Sequence, residues 1–171
     1  MGKELSGSEI RKIVLEDEIA KGKRYSLMLL TRRDYSKYEI FKKLKIKGFS
    51  KDSISNIINL LENKEYINDE LFAIKWSQYR LKNKPVGRYR LNQELKVKGI
   101  SQEIIQKVLD KTYNNADELT LAQDLVNKKI ISNKVKNTPL NPKKIYNFLL
   151  NRGFSIEVSR KIYEELNNAQ V

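Results

Sequence analysis

Cysteine and histidine are both absent from the 171 residues. This excludes thiol nucleophiles, disulfides, thiolate or imidazole metal sites and every histidine-based catalytic arrangement. Composition leaves open an oxygen-ligand metal site or a carboxylate enzyme. A cysteine-free chain suits the cytoplasm, which is the expected location. Glycine (7) and proline (3) are scarce, too scarce for the turns of many short strands, so a few helices with brief connections are expected. No apolar run approaches ~18 residues, so no membrane contact is expected. The N-terminal stretch carries Lys3, Glu4, Glu9 and Arg11 without an apolar segment and does not resemble a signal peptide.

What is abundant is charge, and mostly of one sign. Lys and Arg number 34 against 21 Asp and Glu, a formal net charge of +13. Such an excess points to a polyanionic partner, with solubility alone as the bland alternative. The cations are segregated. Residues 21–50, 75–98 and 125–156 together hold twenty-five of the basic residues and three of the acids.

The segregation follows a repeat. Ile40-x-x-x-Leu44-x-x-Lys47-Gly48-Phe49-Ser50 matches Leu91-x-x-x-Leu95-x-x-Lys98-Gly99-Ile100-Ser101 and Ile145-x-x-x-Leu149-x-x-Arg152-Gly153-Phe154-Ser155. Each copy reads as helix, tight turn, helix. The apolar pair at i, i+4 lies on one helix face. A cation meets the negative end of the helix, and glycine supplies the left-handed residue that ends it. Ser caps the following helix, and Asp52, Glu103 or Glu157 favours its first turn. These following helices carry stripes at helical spacing: Ile54, Ile57, Ile58 and Leu61; Ile105, Val108 and Leu109; Val158, Ile162, Tyr163 and Leu166.

A further helix precedes each pair. The predicted spans are Asp17 to Arg33, with Ala20, Leu27 and Leu30 inward; Asn68 to Lys84, with Phe72, Trp76 and Tyr79 inward; and Ala116 to Ile130, with Leu121, Ala122, Leu125 and Val126. A short helix, Ser6–Leu15, stands in front, and Ser132–Pro142 reads as a loop. The expected fold is therefore all-α: three tandem three-helix repeats in an elongated, curved array with one basic face. The divisions are 5–16 for the front helix, then 17–66, 67–115 and 116–171.

Several groups carry two readings. The helix–turn–helix units resemble DNA-reading elements, but their second helices, Lys51–Lys64, Gln102–Lys111 and Ile156–Leu166, are apolar and acid-balanced, which favours structural hairpins. Tyr38 and Tyr89 occupy equivalent positions about 200° round from the inward Ile40 and Leu91. Exposed in a basic field, they stack on single-stranded bases or pack on an adjacent module. Phe49, Phe72, Trp76 and Phe154 read as core. Arg32, Arg33, Arg88 and Arg90 are the sharpest interface candidates, since guanidinium forks grip phosphate or carboxylate. The acid clusters Glu16-Asp17-Glu18 and Asp69-Glu70 could hold Mg²⁺, but consecutive helical acids point apart, and helix starts explain them. No phosphate-cradling glycine loop is present, and no enzyme, metal or cofactor is expected.

The pattern resembles the RecX family of bacterial RecA regulators. The matching stretches are Leu30-Thr-Arg-Arg-Asp-Tyr35-Ser-Lys-Tyr-Glu39-Ile, Lys47-Gly-Phe, Tyr66-Ile-Asn-Asp-Glu-Leu-Phe-Ala73-x-x-Trp76-x-x-x-Arg80, Gly87-Arg-Tyr-Arg-Leu-x-x-Glu94-Leu-x-x-Lys98-Gly-Ile100, and Lys144-Ile-Tyr-Asn-Phe148-Leu-x-x-Arg152-Gly-Phe-Ser155. The third copy, with its Asn/Lys/Pro connection, is the weakest. The resemblance implies a cytoplasmic protein that binds the RecA–single-stranded-DNA filament. It would restrain RecA ATP hydrolysis, strand exchange and filament extension, and so modulate recombination, DNA repair and the SOS response. A non-sequence-specific single-strand binder is the alternative, and a helical scaffold for an acidic protein a third. A monomer is expected. The interface candidates are Arg32, Arg33, Lys37, Tyr38 and Lys47 in the first copy, Arg80, Lys84, Arg88, Tyr89, Arg90 and Lys98 in the second, and Lys143, Lys144 and Arg152 in the third.

Overall fold

A computed structural model describes residues 6–114, 118–135 and 141–168. These residues form nine helices and no strand: α1 Gly7–Leu30, α2 Lys37–Ile46, α3 Lys51–Asn63, α4 Asp69–Asn83, α5 Arg88–Val97, α6 Gln102–Asn114, α7 Glu118–Val135, α8 Pro142–Asn151 and α9 Ile156–Asn168. They group as three helices, three times. The chain divides into two compact units. The first runs to Phe72 and takes in Lys98–Ile100; the second comprises Ala73–Val97 and everything from Ser101.

The repeated corner forms as its residues dictate. Gly48, Gly99 and Gly153 have φ of +86°, +75° and +79°, the left-handed conformation that costs glycine least. The N–H groups of Phe49 and Phe154 return to the carbonyls of Leu44 and Leu149 at 3.3 and 3.2 Å, which satisfies carbonyls the helix leaves open. Ser50, Ser101 and Ser155 each accept from the backbone N–H three residues on. All six residues of the i, i+4 pairs, Ile40/Leu44, Leu91/Leu95 and Ile145/Leu149, are at most 1% exposed.

The first helix of each group departs in part from expectation. Phe72, Ala122 and Val126 are buried as expected, but Leu29 and small residues four apart, Gly22 and Ser26, and Ala73 and Ser77, are buried as well. Ala20 and Tyr79 point outward, and Leu27, Leu30, Leu121 and Leu125 are only half-buried. The physical reason is close approach. A Cβ at Gly22 would stand 2.3 Å from Ile57 of α3. Ser26 and Ser77 donate to the carbonyls of Gly22 and Ala73 at 2.8 and 2.7 Å, so neither hydroxyl is left unpaired. Phe72 and Phe154 are core, whereas Phe49 and Trp76 are half-buried.

Two boundaries also differ. The expected break at residues 16–17 is absent, and α1 is one helix capped by a Ser6/Glu9 capping box. The acids there are internal: Asp17 pairs with Lys21 at 2.6 Å, and Glu18 accepts from Ser50 at 2.6 Å and from Ser53. Helix α7 continues to Val135, through part of the expected loop, and Asn141 caps α8 with Pro142 in its first turn. The expected start at Ala116 and the loop centre at 136–140 lie outside the described residues, as do Lys3 and Glu4.

One contact occurs in both units. In the first, the start of α2 sits on the turn Lys98–Ile100: Ser36 Oγ donates to the Lys98 carbonyl at 2.6 Å, and Tyr38 covers Gly99. In the second, the start of α5 sits on the turn after α8. The N–H groups of Gly87 and Tyr89 donate to the carbonyls of Arg152 and Gly153 at 3.0 and 3.2 Å. These residues are equivalent in the repeat. A Cβ on Gly153 would lie 2.4 Å from Arg90, whereas at Gly48 nothing among the described residues lies within 4 Å.

These surroundings rank two substitutions. Gly48→Ala meets only the left-handed backbone penalty, about 1 kcal/mol, while Gly153→Ala adds overlap with Arg90 and costs roughly 3 kcal/mol. Thermal melting followed by circular dichroism is expected to show the larger loss at Gly153, and equal losses would contradict the packing.

Candidate partner and nucleic-acid interface

In the first unit, most candidate cations hold the fold. Ser36 caps α2 and Glu39 completes its capping box. Glu39 also takes the Arg33 fork at 3.1 and 3.4 Å and Lys98 Nζ at 3.1 Å. Burial pushes the Glu39 carboxyl up, but hydrogen bonds and charge from Arg33 and Lys98 prevail and hold it below its ordinary value. Arg33 also lies 3.6 Å over the Tyr35 ring, and Lys98 5.4 Å over Phe72. Lys37 pairs with Glu62 at 2.7 Å, and its N–H donates to Asp69 at 2.8 Å. Arg33, Lys37 and Lys98 are therefore structural cations. Arg32 and Lys47 are exposed, Lys47 with its ammonium 5.5 Å from the Tyr25 ring.

Tyr38 is 41% exposed, as expected. Its ring is stacked with Phe41, Lys42 lies 4.9 Å over it, and its Cβ packs on Gly99.

The second unit sorts its cations differently. Arg80 is locked to Glu94 by two 2.8 Å bonds, and Glu94 also accepts from Trp76 Nε1 at 3.2 Å. Arg88 is held by Asp110, whose carboxyl is lowered chiefly by that hydrogen bond, and the Arg88 N–H donates to Glu118 at 3.1 Å. Tyr113 anchors the start of α5 by donating to the Val86 carbonyl at 2.8 Å, and burial pushes its hydroxyl well up. Arg90 reaches Glu94 at 3.4 Å and the Asn151 carbonyl at 3.3 Å but is exposed. Lys84, Tyr89, Lys143 and Lys144 are exposed.

Arg80, Lys84, Arg90, Lys144 and Arg152 line one open cleft of about 640 Å³, together with Asn147, Phe148 and Asn151. No carboxylate lines it. Arg152 donates to the Pro85 carbonyl at 3.1 Å and sits 5.2 Å over Phe148, fixing one wall. Convergent cations with amide donors suit phosphate or carboxylate. Tyr89 and Lys143 are outside the lining. Sequence reading missed Asn147 and Asn151; aligning the copies places them opposite Lys42/Gln93 and Ile46/Val97, so the third copy exchanges exposed apolar for polar. Ile46 and Val97 are themselves 82% and 77% exposed.

The helical repeat is matched in known proteins. The family profile described as RecX, first three-helix domain, matches residues 23–61, and that described as RecX, second three-helix domain, matches 68–109. The regulatory protein RecX of Clostridium perfringens (strain SM101 / Type A) is 32% identical over 164 residues, covering 94% of this chain and 75% of that protein. The chain belongs to the RecX family. The regulatory protein RecX of Caldanaerobacter subterraneus subsp. tengcongensis is 30% identical over 91% of this chain and 76% of its own. The crystal structure of RecX from Lactobacillus salivarius superposes with a TM-score of 0.68 at 29% identity, covering 89% of this chain and 98% of that one. RecX relatives are regulatory proteins by name, and among the described residues of this member no helix is long and apolar enough to cross a membrane.

Glu39 gives the electrostatics a test. Because its carboxyl is lowered below 4.5, the stability it contributes is present above that pH and is lost as pH falls through the depressed value. Glu39→Gln keeps the capping function but removes the charge between Arg33 and Lys98. Urea melts at pH 7 are expected to show a loss of about 1–3 kcal/mol. The gap from the wild type should narrow as pH falls below 4.5 and close once the depressed folded value is passed; a gap that does not narrow in acid would refute this assignment.

Proposed function

We propose that this RecX-family chain regulates a RecA–single-stranded-DNA filament, binding along it and inhibiting RecA ATP hydrolysis, strand exchange and filament extension, and so modulating recombination, repair and the SOS response. The observation that carries this reading is the cleft of the second unit, where five cations converge without a carboxylate. A basic cleft attracts an acidic protein surface or phosphate before contact, and it binds either once there. The supporting side chains are Lys84 and Lys144, which the fold does not use, and Arg90 and Arg152, which it positions, with Arg32, Lys47 and Lys143 as further exposed cations.

A plain single-strand binder is the second reading, favoured by the same cleft, because its amides and cations also match phosphodiester oxygens. Salt separates the two. On single strands, log K falls with log salt by about 0.7 per neutralised phosphate. Tight binding to bare DNA at physiological salt, with no effect specific to RecA, would favour the plain binder.

The decisive variant is Lys84→Glu/Lys144→Glu. Neither ammonium holds the fold, so the melting curve should stay within about 0.5 kcal/mol of wild type. Wild-type protein is expected to inhibit the RecA ATPase well below one molecule per RecA, and the double variant to need at least about tenfold more protein. Wild-type inhibition only at saturating stoichiometry, or an unimpaired double variant, would remove the reading.

A further inference from the structure

Three turns of one design occur in the chain, and two of them are occupied. The turn at Lys98–Gly99 is covered by the start of α2, and the turn at Arg152–Gly153 by the start of α5. The equivalent turn at Lys47–Gly48, between α2 and α3, is open. Lys47 and Gly48 are exposed, and nothing among the described residues comes within 4 Å of a Cβ built on Gly48. No carboxylate among the described residues stands within ion-pair distance of Lys47.

The occupied turns show what such a turn accepts. Lys98 is the same residue as Lys47 at the same repeat position. Its occupant is a helix start of defined chemistry: the Ser36 hydroxyl donates to the Lys98 carbonyl at 2.6 Å, and the Glu39 carboxylate, three residues on, meets Lys98 Nζ at 3.1 Å. Ser36 and Glu39 are also the two halves of a capping box. At the other occupied turn, where Arg replaces Lys, helix-start N–H groups meet the exposed carbonyls instead. In both, the end of one helix, with its outward carbonyls, receives the start of another.

We infer that the Lys47–Gly48 turn is a docking socket for a partner protein's helix N-terminus that carries a hydroxyl or amide cap and a carboxylate three residues later. The inference rests on the reading above that the partner is the RecA filament, and it names the chemistry of the segment touched. A second copy of this chain is a poor occupant. The one repeat-equivalent helix start not seated on such a turn among the described residues is that of α8, and there the position of Glu39 is held by Lys144. At the Arg152 turn the same position is Arg90, whose charge is offset by Glu94; α8 has Phe148 where α5 has Glu94, so docking it would set Lys144 against Lys47 without that compensation, a like-charge contact that costs affinity. Nucleic acid is the competing occupant, because Lys43, Lys45 and Lys51 are exposed beside Lys47; the outward carbonyl oxygens of the turn repel phosphate and favour a hydrogen-bond donor instead.

The test uses the full chain with a benzophenone side chain in place of Lys47, and separately Lys47→Glu and Lys47→Gln. Photolysis on RecA–single-stranded-DNA filaments is expected to give an adduct to RecA at a helix start bearing an acidic third residue. Lys47→Glu should weaken co-sedimentation with the filament by about tenfold and Lys47→Gln by about threefold, while binding to a bare oligonucleotide changes less than about twofold. The inference is overturned by adducts on DNA or on a second copy, or by variants that bind the filament like wild type. Failure of wild-type protein to bind the filament at all overturns the functional reading and this inference with it. Wild-type binding with unaffected variants overturns the inference alone.

Discussion

The backbone at one glycine decides most of what this chain does. A residue with positive φ at the end of α2, α5 and α8 ends each helix at the same place, returns the N–H of Phe49 and of Phe154 to the last turn, and delivers a serine to cap the next helix. The angle between the two helices is then set by local bonds, not by the rest of the protein. Because Ile40/Leu44 and its equivalents precede that glycine by fixed offsets, the buried face is set at the same time. The corner also turns carbonyl oxygens outward, and in two of three cases the start of another helix is seated on them. One short motif thus builds the module and provides the surface by which modules join.

The cations illustrate how little net charge says about any single side chain. Arg33, Lys37, Lys98, Arg80 and Arg88 all have a carboxylate partner. Several are partly withdrawn from water, where removing one partner leaves an uncompensated charge. They belong to the fold even though the sequence places them in its most basic windows. Of the cations that line the cleft in the second unit, Lys84, Lys144 and Arg152 have no carboxylate partner among the described residues, while Arg80 and Arg90 share Glu94. The charge excess points to a class of partner without saying which cations the fold itself uses.

The corners, their caps and the second and third helices were legible because each depends on residues within a few positions of one another. The glycine conformation, the serine caps and the i, i+4 core pairs follow from local spacing. The first helices were not legible in the same way. Beside Leu29, Phe72 and Val126 their buried face contains Gly22, Ser26, Ala73, Ser77 and Ala122; at Gly22 another helix comes close, and small residues give little hydrophobic signal. Continuity of α1 was hidden by Glu16-Asp17-Glu18, which looks like a helix start until Ser50 and Ser53 supply Glu18 with partners from a distant segment. The same limit applies to the cleft. Arg80, Lys84, Arg90, Lys144 and Arg152 each carry a sequence signal, but only packing joins them and brings in Asn147 and Asn151.

Differences between the copies carry more functional information than their agreement. The core pairs agree because every module must bury them. Yet Ser159, fully buried with its hydroxyl unpaired among the described residues, stands where the other copies place Ile54 and Ile105. A missing apolar side chain and an unmet donor both tax stability, so the third module is held less by its own core than the first. It is correspondingly more dependent on bonds from the preceding segment, namely Gly87 and Tyr89 to the turn and Arg152 to Pro85. Of these groups Arg152 also lines the basic cleft. An anion that enters the cleft therefore meets, at Arg152, one of the bonds that keep the third module in place.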